Sequence, residues 1–175
     1  MKLHNNTIRG VHTALQAIFE EGQYADKVIE RTLKSNPKWG AKDRSFIAET
    51  TYEMVRWWRL IKHLSPSSNY WDLFGTYWIM QGHALPDWEE FERLHPEKIK
   101  GKYEAITDPG LLESIPEWLQ KLGSKELGEK WEPEIHALNE EAEVVLRVNT
   151  LKTTRERLKN RLAEDGINTY IVKGY

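Results

Sequence analysis

The recurrence of apolar residues at three- and four-residue intervals constrains this chain more than any other feature of its sequence. Ile8, Val11 and Leu15 begin the pattern, which continues with interruptions through the first two thirds of the 175 residues. This spacing gives a helix one apolar side, which it must bury against a neighbouring helix. The sequence therefore predicts a bundle of helices for this part of the chain.

Glycine, proline and asparagine residues divide the pattern into separate helices. A short helix is expected to begin at Pro86, because proline fits the first positions of a helix. Weak periodicity over 97–110 predicts a loop with at most one helical turn. The other predicted helices, of which the third is the longest and central one, span residues 5–22, 25 to about 35, 42–64, 70–80, 116–122 and 124–138.

The pattern changes near the end of the chain. Residues 143–149 are β-branched and partly alternating, which predicts a strand. Thr153 and Glu156 form a capping-box pattern that predicts the start of a helix, and Gly166 is expected to end it. Residues 167–173 predict a second strand. The last part of the chain is therefore expected to form a β-α-β segment.

These patterns predict a mainly α protein with two parts. Residues 1–139 are expected to form an all-α domain, and residues 140–175 the truncated β-α-β segment. Two strands alone rarely make a stable sheet. We therefore expect either that the natural protein continues beyond Tyr175 or that the last residues dock on the helical part.

Few residues of the chain are suited to catalysis. The sequence has no cysteine, which excludes thiol nucleophiles and thiolate metal ligands from this chain. It has no glycine-rich loop for a phosphate or a nucleoside cofactor, and its six histidines show no metal-ligand spacing. The sequence thus predicts no catalytic residue, no metal site and no cofactor site here.

Charge and hydropathy limit the partners. The formal net charge is −2, so any nucleic-acid contact must use a local patch. The sequence has neither a secretory signal nor an apolar run long enough for a membrane helix. We expect a cytoplasmic protein with no membrane partner.

The third predicted helix carries the first candidate patch. Arg44, Arg56 and Arg59 recur on it, and guanidinium groups pair well with phosphate oxygens. The alternative is a solvated helix face on which these arginines form ion pairs with Glu49 and Glu53. The sequence leaves both interpretations open.

A second candidate patch lies where the first predicted strand leads into a helix. Arg147, Asn149 and Lys152 stand there, followed by Arg155 and Arg157, beside the exposed amides of a helix start, which suits an RNA phosphate or base edge. The alternative is that Asn149 only shapes the turn.

Tryptophan is abundant, with eight residues. Trp39 lies in a polar loop beside Lys38 and Lys42, where stacking on a nucleobase is plausible. The other seven are expected in the core rather than on base-stacking surfaces. They are Trp57, Trp58, Trp71, Trp78, Trp88, Trp118 and Trp131.

Several passages resemble one family. Asp43–Ile47 and Thr51–Trp57 resemble the central helix of the NusB-like domain in Sun/Fmu-type bacterial ribosomal RNA 5-methylcytosine methyltransferases. Ser114–Leu119, Leu146–Lys152 and Asp165–Ile167 resemble the linker and the start of the next subdomain in that family. The second group is more specific, because its pieces stand in the family's order.

The resemblance implies a NusB-like helical bundle followed by the opening β-α-β of a ferredoxin- or RRM-like subdomain, both binding ribosomal RNA and not DNA. Catalytic cysteines and the methyl donor S-adenosylmethionine would belong to the protein's own catalytic domain, beyond this chain. The motifs carry Arg44, Arg56, Arg147, Asn149 and Lys152 over as RNA-facing residues. The segment alone is expected to transfer no methyl group.

Glu53 departs from the family, because such sequences often have a glycine at its position.

Two other functions remain open. One is a free-standing NusB-like RNA-binding or antitermination factor, and the other is a helical protein-interaction module, suggested by the acidic balance.

Overall fold

The computed structural model describes residues 3–172. Within this range the chain forms ten α-helices and two short 3₁₀ helices. The α-helices are α1 (Asn5–Phe19), α2 (Ala25–Ser35), α3 (Ala41–Arg56), α4 (Trp58–Leu64), α5 (Tyr70–Met80), α6 (Pro96–Glu104), α7 (Pro109–Leu112), α8 (Glu117–Leu127), α9 (Trp131–Asn139) and α10 (Arg155–Glu164). The 3₁₀ helices are Glu89–Phe91 and Gly128–Lys130.

The expectation of a β-α-β segment was wrong. Residues 3–172 contain no strand, and only the helix of the expected unit, α10, forms. β-Branched residues favour an extended backbone, but a strand also requires a partner for its N–H and C=O groups. No ladder of backbone hydrogen bonds joins 143–149 to the described residues of 167–173. Lys173, the last residue of the second predicted strand, lies outside the described residues.

Other helix predictions also differ from the structure. In place of the helix expected from Pro86 the chain forms the 3₁₀ helix Glu89–Phe91. The two helices expected at 116–122 and 124–138 are replaced by α8, which continues to Leu127, and α9, which begins at Trp131.

The third predicted helix divides into α3 and α4 at Trp57, whose φ of −95° and ψ of 15° leave the helical region. The expected loop at 97–110 contains the nine-residue helix α6, which Pro96 begins. α6 buries only Ile99, so the apolar periodicity that normally indicates a helix is weak there.

The main core lies among α1, α3, α4 and α5. Its side chains include Ile8, Leu15, Ile47, Met54 and Phe74, all fully shielded from solvent. Burying such side chains contributes about 1.5–3 kcal/mol each before entropy is counted. The four helices are therefore held by apolar contact at the spacing that the sequence pattern predicts.

A smaller cluster joins α8 and α9. Trp131 and Ile135 pack with Ile115, and Leu119 covers them. Gly123 makes the close approach possible, because a Cβ at this position would lie 2.3 Å from the Trp131 ring. This contact fixes which side of α8 faces inward.

The chain divides into two compact units, one ending at Asn139 and the other beginning at Glu140. The first unit contains every buried residue of the described range. The second contains α10 and irregular backbone, and none of its residues 140–172 is buried. No helix in residues 3–172 has both the length and the hydropathy needed to cross a membrane.

Candidate nucleic-acid interface

Arg44 lies at the start of α3 and is half-buried. Its Nε donates a hydrogen bond to the backbone oxygen of Trp39 at 2.9 Å. Trp39 itself is only 8% exposed and belongs to the main core. The prediction that Trp39 is available for stacking on a base was therefore wrong, since a polar sequence neighbourhood does not exclude burial by distant helices.

Arg56 is bound to the end of α9. Its Nη2 donates to the backbone oxygen of Asn139 at 2.5 Å, and its Nε donates to Asn139 Oδ1 at 3.3 Å. Asn139 Nδ2 in turn donates to Glu113, at 2.8 Å to the backbone oxygen and 2.7 Å to Oε2. The guanidinium of Arg56 thus holds two segments of the first unit together.

Arg59 makes a similar connection from α4. Its Nη1 donates to the backbone oxygen of Ile115 at 2.6 Å, and its Nη2 lies 3.4 Å from Asp108 Oδ2. The alternative ion pairs with Glu49 and Glu53 do not form. Instead, Ser45 Oγ donates to Glu49, and Trp57 Nε1 donates to Glu53 at 3.2 Å.

The three arginines of α3 and α4 therefore share one property: each uses its guanidinium on partners inside the first unit. Those hydrogen bonds would have to break before the same donors could reach a phosphate. The contact of these three arginines with RNA stays a prediction.

Arg147, Asn149 and Lys152 are all exposed in the second unit. Asn149 Oδ1 accepts a hydrogen bond from the backbone N–H of Leu151 at 3.1 Å, and its backbone oxygen accepts from the N–H of Lys152 at 3.0 Å. Asn149 thus shapes the turn, as one interpretation of the sequence proposed. The turn presents Arg147 and Lys152 to solvent on either side of it.

α10 follows this turn. Its N-cap is Thr154, whose Oγ1 accepts a hydrogen bond from the N–H of Arg157 at 3.3 Å, one residue later than the predicted capping residue. Hydrogen bonds from its own backbone N–H and from Thr154 lower the pKa of Glu156. Glu156 is therefore an anion at the positive end of the helix, where it stabilises the first turn.

Residues 147–161, here called the basic segment, carry a local charge opposite to that of the whole chain. Six basic side chains stand against the single acid Glu156, which gives a formal charge of +5. All six are exposed. They are Arg147, Lys152, Arg155, Arg157, Lys159 and Arg161.

Lys159 and Arg161 were not among the RNA-binding residues predicted from the sequence. A four-residue spacing of basic residues could have identified them, because Lys159 stands four residues after Arg155, and Arg161 stands four residues after Arg157. On a helix these pairs form two rows. The half-buried Leu158 lies between the rows, so the cations border the apolar side of α10.

Metal binding would need a cluster of ligand side chains, and cofactor binding a groove, among the described residues. Residues 3–172 contain no group of three or more His, Cys, Asp or Glu side chains able to hold a metal ion. Two shallow surface grooves are present, one lined by Ile29, Tyr52 and two glutamates, the other by Trp71, Asp72 and four further polar residues. No glycine lines either groove, so neither fits a nucleoside cofactor held by a glycine-rich turn.

Comparison with known proteins gives one family match. Residues 115–174 match the family model described as Methyltr_RsmF/B-like, ferredoxin-like domain. No curated protein and no solved structure shows a significant match. The match supports a Sun/Fmu-type methyltransferase region for this part of the chain. The matched residues 115–174 contain the whole basic segment, while α1 to α7 lie outside them.

Proposed function

We propose that this chain is an RNA-binding, substrate-recognition region of an S-adenosylmethionine-dependent ribosomal RNA (cytosine-5) methyltransferase. In this role it holds the RNA backbone through cationic side chains, and a separate catalytic domain of the same protein carries out methyl transfer. Ribosomal RNA is the partner, and the chain itself supplies no catalytic residue.

The observation that carries the proposal is the position of the basic segment. It combines a formal charge of +5 with the exposure of all six basic side chains, and it lies inside the residues that match an RNA methyltransferase family model. Clustered arginine and lysine side chains neutralise phosphates and release counterions, which supplies most of the affinity in backbone contacts. A chain with a net charge of −2 can bind RNA only through such a patch.

The basic segment is also a better candidate than the arginines of α3 and α4. Arg56 and Arg59 already donate to Asn139 and Ile115, whereas Arg157 and Arg161 are exposed on α10. The first unit then serves as a stable support for the region. Its resemblance to a NusB-like domain stays a prediction.

S-Adenosylmethionine would supply the methyl group in the full enzyme. The grooves of this chain do not fit it, so we assign the chain only the steps that precede chemistry: binding the RNA and orienting it. This division agrees with the absence of cysteine from the sequence, since a cysteine would be the nucleophile of such an enzyme.

The test is the salt dependence of RNA binding by paired variants. Arg157→Gln with Arg161→Gln removes two charges from α10, and the matched control, Lys98→Gln with Lys100→Gln, removes two exposed charges from α6. Affinity for a fluorescein-labelled ribosomal RNA hairpin is measured by anisotropy over a range of salt concentrations. For the α10 variant we expect binding about tenfold weaker and a salt slope smaller by about 0.7–0.9 for each lost phosphate contact.

Two results would contradict the proposal. One is an equal loss in both double variants, because it would indicate non-specific attraction rather than a site. The other is RNA binding by the unchanged chain that is absent or insensitive to salt. In that case a helical protein-interaction module becomes the better account.

A further inference from the structure

The surface of α8 carries an exposed tryptophan. All eight tryptophans lie within the described residues, and Trp118 is the one that is exposed, with 67% of its surface accessible, so the expectation that it lies in the core was wrong. Leu122, one helical turn later, is also exposed. Contiguous apolar patches mark binding surfaces more often than single exposed side chains do, and Trp118 and Leu122 stand one turn apart on the same helix.

The orientation of Trp118 is fixed by the opposite side of its helix. Gly123 lies directly against the Trp131 ring, and Trp131 Nε1 donates a hydrogen bond to Gln120 Oε1 at 2.6 Å. Leu119 packs on the same cluster. Rotating α8 to bury Trp118 would break all three contacts, so the indole stays on the outer side.

Two lysines stand beside Trp118 on the outer side of α8. Lys121 and Lys125 follow it by three and seven residues, which places them near it on a helix. Lys121 Nζ lies 2.9 Å from Glu117 Oε1, and Lys125 Nζ lies 3.9 Å from Glu126 Oε1; all four side chains are largely exposed. Such surface pairs contribute little to stability, so a phosphate can compete for the ammonium group.

We infer that Trp118 is a stacking platform for an unpaired RNA base, and that Lys121 and Lys125 contact the adjacent phosphates. The inference rests on the proposed function and adds to it a preference for single-stranded positions in the RNA. An indole face accepts any base, and the two exposed ammonium groups beside it can exchange their weak pairs with Glu117 and Glu126 for a phosphate, which an apolar protein surface does not offer. Trp118 also lies within the residues that match the family model.

The experiment compares Trp118→Ala and Trp118→Phe in the whole chain. Anisotropy is measured with a labelled RNA hairpin that has an unpaired loop and with a fully paired duplex. For the hairpin we expect Trp118→Ala to bind about tenfold more weakly and Trp118→Phe to recover most of the loss. The salt slope should not change, because stacking releases no counterions.

Tyr24→Ala is the matched control, since Tyr24 is also an aromatic side chain in the first unit and is 83% exposed. It should bind both RNAs as the unchanged chain does. Urea unfolding of each variant verifies that the fold is kept, which is expected for an exposed side chain.

The outcomes separate the two proposals. If Trp118→Ala binds the hairpin normally while binding keeps its salt dependence, the stacking platform is overturned and the proposed function stands. An equal loss on hairpin and duplex also overturns stacking on an unpaired base. If the unchanged chain binds neither RNA, the proposed function fails and the inference fails with it.

Discussion

At the scale of single residues, Arg56 of α3 and Arg59 of α4 bond acceptors that lie far away along the chain. Arg56 and Arg59 looked alike as phosphate ligands, yet Arg56 bonds a residue 83 positions away and Arg59 one 56 positions away. No local pattern predicts such distant carbonyl acceptors. The exposure of Arg147 and Lys152 depends on a local feature instead, because their neighbours along the chain form the turn that presents them to solvent.

Replacing Arg59 should therefore lower stability. Arg59→Ala removes the hydrogen bond to Ile115 and the ion pair with Asp108, and hydrogen bonds of charged groups contribute about 1.5–3 kcal/mol. We expect the free energy of unfolding in urea to fall by about that amount. Lys62→Ala, an exposed cation of the same helix, is the control and should change it by less than about 0.5 kcal/mol. Unchanged stability with weakened RNA binding would instead make Arg59 a phosphate ligand.

His12 should make stability depend on pH. Burial, and to a smaller degree the charge of Arg9, lowers the pKa of His12 from its ordinary 6.5 to about 4. Its ring lies edge-on to Trp71, with 4.6 Å between the ring centroids. Between these two pKa values the unfolded chain binds a proton that the folded chain does not. The stabilising contribution is therefore complete above pH 6.5 and is lost as the pH falls towards 4.

The measurement is urea unfolding at about pH 7.5 and at about pH 5. Between the higher and the lower pH, the contribution of His12 to the free energy of unfolding should fall by about 2 kcal/mol. Other groups titrate in the same range, so the comparison is with His12→Gln, which cannot bind the proton. The variant should lose less stability on acidification than the unchanged chain. Equal losses would show that His12 does not titrate differently in the folded state.

At the scale of elements, helices were predictable where they bury a full apolar side. α1, α2 and α5 begin where the sequence pattern begins. α6 was missed because one buried residue, Ile99, gives no periodicity. Up to residue 172 neither of the two expected strands forms, because strand formation depends on pairing partners that local sequence does not contain. The spacing of apolar residues therefore predicted the secondary structure of the first unit better than that of the second.

Two glycines within helices should respond oppositely to alanine. Gly123→Ala places a methyl group 2.3 Å from the Trp131 ring and should destabilise the chain by about 1–3 kcal/mol. Gly101→Ala, in α6, meets no atom within 4 Å and should stabilise it by about 0.5–1 kcal/mol through helix propensity. Thermal unfolding followed by circular dichroism measures both. A neutral Gly123→Ala would mean that α8 and α9 pack less closely than described.

At the scale of the whole molecule, the two units differ in the number of side chains that each of them buries. The first contains all buried side chains of the described range, and residues 140–172 contain none. Apolar burial is the main favourable contribution to folding. The first unit thus has the means to fold independently, and the second lacks a core of its own.

A chain shortened to end at Asn139 should consequently keep its cooperative unfolding transition, with a urea midpoint close to that of the whole chain. Near-ultraviolet circular dichroism should also be retained, because the aromatic core remains complete. If the proposed function is correct, the shortened chain loses most of the salt-dependent part of its RNA affinity together with the basic segment, and keeps only the part that Lys121 and Lys125 contribute. A large fall in the urea midpoint would show that the second unit contributes to the stability of the first.

The unequal shielding of the tryptophans also has a spectroscopic consequence. Seven indoles are buried or half-buried, whereas Trp118 is open to solutes. Iodide should therefore quench Trp118 first, and its emission should lie at longer wavelengths than that of the others. The chain accordingly contains an intrinsic optical reporter on α8, with which occupancy of that surface can be followed without attaching a dye.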